Sequence, residues 1–498
     1  MRIKYMFRSR IFQFISLGVL TFGLGFGAAL LFFRPQPELF TTSTLPLQLS
    51  AEEENGFKAL ADIQAAFQNI AQKANRSVVQ INVLAIDEEP QTFFDFPFPF
   101  FFGPQGNNNL NPKRQNQRQG LGSGVIVRQS DNLVYVITNY HVISNADEIE
   151  ITLADKQSFK AELIAKDQKK DLALLSFKTK EKVTVAVLGD SDTVAVGDWV
   201  IALGSPLGFS SSVTKGIISA VGRTATADSS IAPFTTYLQT DAPINQGNSG
   251  GALINIKGEV IGINTWIASP SGGSVGLGFA IPINTVKRAV EDFLTKGTVS
   301  YGWLGVAISD LKAEDRAALS LGESRGCFIL GVYKNSPAAQ AGILPGDYIT
   351  AINGKAVEDT TSMLVLVGNL APTSKATVSL KRLGKDMHIT AQLSERPADS
   401  ELSGQNLWPG FRVVTITPEI RKQLSLPAFS GNLVVAQVEK DSAAAVAGIK
   451  AGDVIKAINS LPVTNLAEFY QRLNDPGSKQ VIFNLQRNNH QLSLGLVK

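Results

Sequence analysis

The C-terminal part of the chain contains an internal repeat, and this repeat limits the possible architectures more than any other feature. Residues 336–353 and 442–459 are identical at twelve of eighteen positions at a constant offset of 106 residues. Each copy predicts a short helix of small residues, a Gly-Asp turn and then a β-strand. A repeat of about a hundred residues has the length of a whole domain rather than of one solenoid unit. The sequence therefore predicts two small sister domains of α+β type, separated by the polar segment 394–404.

The N-terminus carries a membrane-spanning pattern. Residues 11–33 are almost wholly apolar and long enough to cross a bilayer. Basic residues precede this run and acidic residues follow it, so the positive-inside rule exports the rest of the chain. We expect residues 1–34 to form a cytoplasmic tip and an anchor in the inner membrane, and residues 35–74 to form a stalk and a leading amphipathic helix. A signal cleaved at 27–29, which leaves a soluble periplasmic protein, and a buried helix are the alternatives.

Composition excludes several classes of function. The chain of 498 residues has a net charge of +3, and four basic residues fall within the first ten. The remainder is therefore close to neutral and lacks the basic surface that binds nucleic acid. The single cysteine, Cys327, and three histidines distant from one another in sequence do not form the usual metal-binding spacings. We expect neither a metal nor a cofactor, and we expect Cys327 to lie in a core.

Between residues 78 and 290 the pattern changes to short β-branched runs separated by Gly, Asp and Asn. This pattern predicts an antiparallel all-β domain of barrel or sandwich type. Within it, seven of the ten residues 93–102 are Phe, interleaved with two prolines. The segment is either a disordered insertion or a loop that buries its Phe side chains against another subunit or a bound client.

A glycine-rich serine motif is the strongest local sign of chemistry. Residues 247–251 read Gly-Asn-Ser-Gly-Gly between two predicted strands. Glycines on both sides of Ser249 permit a turn that exposes its hydroxyl and directs neighbouring N–H groups inward. The N–H groups of Gly247 and Ser249 would then form an oxyanion hole. A plain turn is the alternative.

A serine nucleophile needs a general base, and His141 is the single histidine between residues 78 and 290. It follows an apolar predicted strand, at the place where a strand delivers a side chain to a domain edge. Asp171 immediately precedes the apolar run 172–175 and could orient the imidazole from a partly buried position. Taken singly, these could be a surface histidine and a strand-capping aspartate. Together with Ser249 they have the chain order of chymotrypsin-type proteases.

Three segments carry a specific resemblance: Thr-Asn-Tyr-His-Val at 138–142, Asp-Leu-Ala-Leu at 171–174, and the serine motif. With the paired C-terminal domains, they resemble the HtrA/Deg family of envelope serine proteases over residues 57–498. The resemblance implies a mainly β chain with a chymotrypsin-like double β-barrel. It also implies a homotrimer, or multiples of trimers. The domains would be a trypsin-like protease domain at 75–296 and two PDZ domains at 300–393 and 404–498.

The same resemblance implies roles for individual residues. His141 would be the general base, Asp171 its orienting acid and Ser249 the nucleophile, with Gly247 and Ser249 in the oxyanion hole. Asn248 stands where pancreatic-type enzymes have an Asp, so zymogen cleavage is not expected. The primary specificity pocket would have Ile267 as its floor and favour small aliphatic residues. The residues that would line it are Thr265, Trp266, Ile267, Ala268 and Ser269.

Two loops and the PDZ grooves complete the expectations. Residues 223–233 resemble the family's activation sensor, and the Phe-rich segment resembles its long first-barrel loop. Trp303, Leu304, Gly305 and Val306 fit the PDZ loop that captures a peptide C-terminus through backbone N–H groups. In the second copy Pro409 removes one N–H donor from the equivalent loop, so peptide binding is expected of the first PDZ domain rather than the second.

The sequence thus predicts an ATP-independent endopeptidase of the periplasm that degrades unfolded or misfolded exported proteins. Its PDZ domains would bind peptide C-termini for recruitment or activation. The alternatives are an envelope chaperone or scaffold in which client binding dominates, and an anchored regulatory protease that makes one signalling cleavage.

Overall fold

The computed structural model describes residues 51–86, 117–205, 212–224, 234–269, 273–398, 401–402, 406–427, 431–488 and 490–498. The predicted anchor at 11–33, the Phe-rich segment 93–102 and most of the predicted sensor at 223–233 lie outside these residues. In the parts of the chain that are described, no helix combines the length and the apolar character needed to span a membrane.

The described residues form helices and strands that we number in chain order. The helices are α1 (Ala51–Asn75), α2 (Tyr140–Ile143), α3 (Ile283–Lys296), α4 (Ala313–Ala318), α5 (Pro337–Ala341), α6 (Thr360–Gly368), α7 (Pro418–Gln423), α8 (Ala443–Val446) and α9 (Leu466–Leu473), with a 3-10 turn at Ser191–Thr193.

The first twelve strands belong to the N-terminal half of the fold. They are β1 (Val78–Ile86), β2 (Gln117–Ser130), β3 (Leu133–Thr138), β4 (Glu148–Thr152), β5 (Ser158–Asp167), β6 (Leu172–Lys178), β7 (Trp199–Gly204), β8 (Ser212–Thr224), β9 (Thr236–Thr240), β10 (Ala252–Asn255), β11 (Val260–Ile267) and β12 (Gly278–Pro282).

The remaining strands belong to the repeated domains. They are β13 (Gly302–Trp303), β14 (Val306–Ser309), β15 (Cys327–Tyr333), β16 (Tyr348–Ile352), β17 (Lys355–Ala356), β18 (Lys375–Arg382), β19 (Lys385–Gln392), β20 (Ser394–Glu395), β21 (Leu407–Trp408), β22 (Phe411–Thr415), β23 (Leu433–Val438), β24 (Val454–Ile458), β25 (Leu461–Pro462), β26 (Gln480–Arg487) and β27 (His490–Val497).

Two closed antiparallel barrels form the first part of the fold. One has the strand order β1-β2-β3-β6-β5-β4, and the other has the order β10-β11-β12-β9-β8-β7. Alternating side chains of β1, such as Val79, Ile81 and Val83, point into the first barrel and are buried. Between the barrels lies a further apolar cluster that contains residues of both, including Leu174 and Ile263. The prediction of a mainly β chain with a double barrel is confirmed.

The leading helix α1 follows the predicted amphipathic pattern in its second half only, since Phe57, Leu60 and Ile63 are exposed. Its Phe67 and Ile70 pack against the cluster between the barrels. The Phe67 ring lies 5.6 Å from the Trp199 ring, centroid to centroid. The predicted helical spacing of these two residues therefore corresponds to the face that packs on the barrels.

The repeat folds into two sheets of the same order, β14-β15-β16-β18-β19 and β22-β23-β24-β26-β27. Ser336 caps α5 and donates from its hydroxyl to the carbonyl of Gly305 at 3.2 Å. Ser442 caps α8 and makes the same bond to Gly410 at 3.2 Å. The serine that is shared by the two copies thus holds the loop that the sequence predicts to bind a peptide carboxylate. Cys327 is buried in the first of these domains.

In each repeated domain a buried aspartate pairs with an arginine. The Asp347 carboxylate accepts from Arg382 at 2.7 and 2.8 Å and from the Leu344 N–H at 2.8 Å. In the second copy, Asp453 accepts in the same way from Arg487. The aspartate side chains are 1% exposed, so their charge depends on these partners.

We expect Asp347→Ala to lower the opening free energy of the first repeated domain by about 3 kcal/mol, because Arg382 and a backbone N–H lose their acceptor. The measurement is hydrogen exchange of β16 in the full-length protein. Asp386→Ala is the matched control, since its carboxylate is 75% exposed and its pairing with Lys381 contributes at most about 1 kcal/mol. Equal effects of the two changes would contradict this account.

Candidate active site

Asp171 lies in a tight turn between β5 and β6, at the junction of the two barrels. Its backbone adopts φ 54°, and its N–H donates to the carbonyl of Gln168. Only 8% of the residue is exposed. Burial of this carboxylate without donors would cost several kcal/mol, so its hydrogen bonds determine how the neighbouring elements must pack.

His141 supplies two of those donors. It lies in α2, the short helix that follows β3, and its backbone N–H donates to Asp171 Oδ1 at 3.0 Å. Its ring Nδ1 lies 2.8 Å from Asp171 Oδ2 and 2.9 Å from Oδ1. The carboxylate accepts from a protonated Nδ1, so Nε2 is the nitrogen left to accept a proton.

Thr265, at the end of β11, connects the carboxylate to the serine. Its hydroxyl donates to Asp171 Oδ2 at 2.7 Å, and its carbonyl accepts from the Ser249 hydroxyl at 2.8 Å. The residue is 1% exposed. The contact places Thr265 against the predicted triad, in addition to the pocket position that the resemblance implied.

The Ser249 hydroxyl donates to the Thr265 carbonyl at 2.8 Å, and the Thr265 hydroxyl donates to Asp171 at 2.7 Å. One residue of β11 therefore contacts both the predicted nucleophile and the predicted acid.

The loop around Ser249 has backbone conformations that glycine permits. Gly247 has φ +95° and Gly250 has φ +81°. A Cβ at Gly250 would lie 2.1 Å from the carbonyl oxygen of Ser123, so a larger residue does not fit there. Among the described residues the N–H groups of Gly247 and Ser249 have no hydrogen-bond acceptor, which leaves both available to an oxyanion.

Ser123, in β2, holds this loop from the first barrel. Its hydroxyl donates to the Gly247 carbonyl at 2.5 Å and accepts from the Ser205 N–H at 2.8 Å. Its backbone N–H donates to the Ser249 carbonyl at 2.8 Å. Ser123 thus fixes the peptide unit between Gly247 and Asn248 and the one between Ser249 and Gly250. Asn248 itself is buried.

The remaining predicted pocket residues divide between two faces of β11. Trp266 stacks on Phe279 at 4.0 Å, and Trp266 and Ala268 pack against the cluster between the barrels. Ile267 points the other way and packs against the interior cluster of the second barrel, which includes Ile244. Ser269 is half-buried just beyond the strand. Ile267 and Ile244 therefore share the aliphatic interior of the second barrel.

A groove in the first repeated domain contains the predicted carboxylate-binding residues. Trp303, Leu304, Gly305 and Val306 line it together with Met363 and Leu364 of α6. Phe234, which belongs to the barrel domain, also lines this groove and packs on Tyr301 at 4.8 Å. The guanidinium carbon of Arg396 lies 5.6 Å from the centre of the Phe234 ring.

Lys170 joins the catalytic turn to the same repeated domain. Its Nζ donates to Asn369 Oδ1, just after α6, at 2.6 Å. Burial lowers the pKa of Lys170 to about 8, because the charged ammonium loses its hydration. The residue next to Asp171 is thus held by the first repeated domain.

Sequence reasoning assembled the triad but missed Ser123, Lys170, Phe234 and the hydroxyl contact of Thr265. The Gly-Ser-Gly at 122–124 was a usable signal for Ser123, since small residues mark a close backbone approach. No group of His, Cys, Asp and Glu that could hold a metal ion occurs in the described part of the chain.

Comparisons with known proteins agree with this architecture. The trypsin-like peptidase domain family matches residues 122–263, and two PDZ domain families match residues 302–393 and 434–487. The chain is 35% identical over 467 residues to the periplasmic serine endoprotease DegP of Salmonella typhimurium. The alignment covers 90% of this chain and 95% of the relative. It is also 35% identical to DegP of Escherichia coli K12, over 89% of this chain and 94% of the relative.

Solved structures give the same result. The HtrA-type protease AlgW with decapeptide superposes with a TM-score of 0.52 and 35% sequence identity. The superposition covers 67% of this chain and 99% of the AlgW chain. The HtrA-type protease AlgW with tripeptide has a TM-score of 0.52 and 34% identity over the same shares.

We expect Thr265→Val to lower kcat/KM for peptide hydrolysis by about 10- to 100-fold, since a hydrogen bond to a charged group contributes about 1.5–3 kcal/mol. The measurement is steady-state hydrolysis of a chromogenic peptide. Thr265→Ser keeps the hydroxyl donor and should retain most of the activity. A fully active Thr265→Val protein would show that the contact with Asp171 does not position the triad.

Proposed function

The chain belongs to the HtrA/DegP family of serine endoproteases, and from that membership we propose that His141, Asp171 and Ser249 carry its peptidase reaction. The observation that carries the assignment is the buried Asp171 carboxylate, which accepts from His141 Nδ1 at 2.8 Å. Thr265 connects Ser249 to this carboxylate, since its carbonyl accepts from the Ser249 hydroxyl and its own hydroxyl donates to Asp171. The enzyme is a serine endopeptidase with a trypsin-like domain and two PDZ domains.

In the proposed mechanism, His141 Nε2 accepts the Ser249 proton as the hydroxyl oxygen attacks the scissile carbonyl. Asp171 stabilises the imidazolium that forms. The N–H groups of Gly247 and Ser249 donate to the developing oxyanion, where one such donor contributes about 2.7–4 kcal/mol. His141 then protonates the leaving amine. In the second half of the reaction, water attacks the acyl-enzyme, and His141 accepts a proton from the water and returns a proton to the Ser249 oxygen.

The proposed specificity pocket favours small aliphatic residues such as Val and Ala. Its support is the position of Ile267 against the aliphatic interior of the second barrel. Ile244, from the segment just before the serine loop, belongs to the same cluster. Apolar surface of this kind accepts a side chain without offering a charge partner.

We place peptide C-termini in the groove of the first PDZ domain, with Trp303, Leu304, Gly305 and Val306 at the carboxylate end. Phe234 connects this groove to the protease domain, since it lines the groove and directly follows the segment that resembles the activation sensor. The AlgW structures include a decapeptide and a tripeptide. A bound peptide that displaces Phe234 would therefore act on the protease domain.

The chain is periplasmic, like the DegP proteins to which it is similar. We propose further that residues 11–33 anchor it in the inner membrane and that it assembles as a trimer or multiples of trimers. The proposed domains are residues 75–296 for the protease and residues 300–393 and 404–498 for the PDZ domains. Its proposed substrates are unfolded or misfolded exported proteins, cleaved without ATP or a cofactor.

Cleavage of casein by the purified full-length protein tests this function. We expect endoproteolytic cuts after Val and Ala, identified by mass spectrometry of the product ends, because the pocket is small and aliphatic. Ser249→Ala should abolish cutting and keep the fold. Cleavage that persists in Ser249→Ala, or cuts after charged residues, would contradict the triad and the pocket, respectively.

The connection through Phe234 has a separate test. Phe234→Ala should reduce the stimulation of casein cleavage by a hydrophobic C-terminal peptide, because the groove loses its contact with the protease domain. Phe159→Ala is the matched control, since Phe159 stacks on Phe177 at 4.8 Å within the first barrel. The ratio of rates with and without peptide is measured. An undiminished ratio in Phe234→Ala would remove Phe234 from the coupling.

A further inference from the structure

The second PDZ domain has a groove whose walls can be identified from the repeat. Phe411 and Val413 of β22 correspond to Val306 and Ile308 in the first domain, and Tyr470 of α9 corresponds to Leu364. In the first groove these three positions are half-buried. In the second, Phe411 is 6%, Val413 5% and Tyr470 2% exposed.

Residues of the first PDZ domain cover the second groove. Leu319 and Leu321, which follow α4, are almost fully buried. They share one buried apolar cluster with Phe411, Val413 and Tyr470, whereas the core of their own domain forms a separate cluster. The same cluster contains Phe328 and Tyr348 of the first domain, so Leu319 and Leu321 belong to apolar packing that joins the two PDZ domains.

Specific contacts fix this packing along the groove. The Phe328 and Tyr470 rings meet edge to face with centroids 5.3 Å apart. At one end of α9, Asn474 Nδ2 donates to the Pro345 carbonyl at 2.7 Å. At the far end of β22, the Thr415 hydroxyl donates to Asp315 Oδ1 at 3.2 Å.

Backbone pairing continues the contact at the carboxylate-binding end. Strand β21, which leads into the loop of the second groove, pairs antiparallel with the end of β15 in the first domain. The Lys334 N–H donates to the Asn406 carbonyl at 2.8 Å. The interface thus combines apolar burial, strand pairing and side-chain hydrogen bonds over the whole length of the groove.

We propose that the resident ligand of the second PDZ groove is the first PDZ domain of the same chain, through Leu319, Leu321, Phe328 and Asp315. The positions that would hold a peptide side chain are filled by these residues, so the chain takes a peptide C-terminus in the first groove alone. Because the two domains are tethered, the intramolecular contact has a high effective concentration and competes strongly with free peptides. The two PDZ domains move as one body.

Hydrogen exchange of the full-length chain with Ser249→Ala, which prevents self-digestion, tests the proposal. Leu321→Glu places a charge in the shared cluster. We expect residues 411–415 and 466–473 to exchange at least about tenfold faster than in the parent, while β18 of the first domain keeps its protection. Leu461→Glu is the control, since Leu461 is 52% exposed in the second domain, and should change neither segment.

If Leu321→Glu also accelerates exchange of β18, the first domain itself is destabilised, and a milder variant is then needed. Thr415→Val removes the hydroxyl that donates to Asp315 and should accelerate the same two segments. Thr377→Val, at an exposed threonine of the first sheet, should not. The proposal is overturned if Thr415→Val leaves the exchange of both segments unchanged. It is also overturned if Leu321→Glu leaves both segments unchanged while β18 stays protected.

Peptide stoichiometry gives an independent readout. The probe is a fluorescein-labelled decapeptide that ends in Leu-Val-Val with a free carboxylate, titrated into the Ser249→Ala parent. The proposal allows at most one bound peptide per parent chain and expects additional binding in Leu321→Glu. Saturation at two peptides per parent chain would overturn it.

Discussion

The buried carboxylate of Asp171 is the group on which the proposed catalytic site depends. It accepts from the backbone and the ring of His141, and from the hydroxyl of Thr265 in the second barrel. A carboxylate at this depth is stable only while those donors remain in place. The two barrels must therefore be docked for the charge to be satisfied, and the same docking brings Ser249 to the site. Ser123 adds a second tie between the barrels through the Gly247 carbonyl.

Side-chain contacts also connect the two PDZ domains to the Asp171 turn and to each other. Beside the catalytic turn, Lys170 donates to Asn369 of the first PDZ domain, and Phe234 lines that domain's groove. The first PDZ domain in turn covers the groove of the second through Leu319 and Leu321. Each PDZ groove therefore touches the domain that precedes it in the chain. The turn that carries Asp171 and the first groove are therefore connected by direct side-chain contacts, which are the physical basis of the proposed regulation by peptides.

Much of the fold was predictable because its signals are local. Short β-branched runs predicted an antiparallel all-β domain of barrel or sandwich type, and the family resemblance implied the two barrels. The helical spacing of Phe67 and Ile70 predicted an amphipathic helix, and both residues pack on the barrels. The order of His141, Asp171 and Ser249 predicted which residues meet. The Thr265 hydroxyl contact was not predictable. The pairing of β11 with β12 shifts register between Asn264 and Trp266, so strand alternation alone does not indicate where Thr265 points.

The sequence by itself determined the class of fold, the two related domains and the candidate residues of the site, since periodicity, repeats and motif glycines act through neighbouring residues. Tertiary structure alone decided which surfaces meet. The repeat predicts two related domains, and Pro409 predicts a weaker second groove, but neither indicates what lies against the grooves. Phe234 lines the first groove, and Leu319 and Leu321 share a buried cluster with the walls of the second. Burial of those side chains depends on packing between segments distant in sequence, which no local pattern specifies.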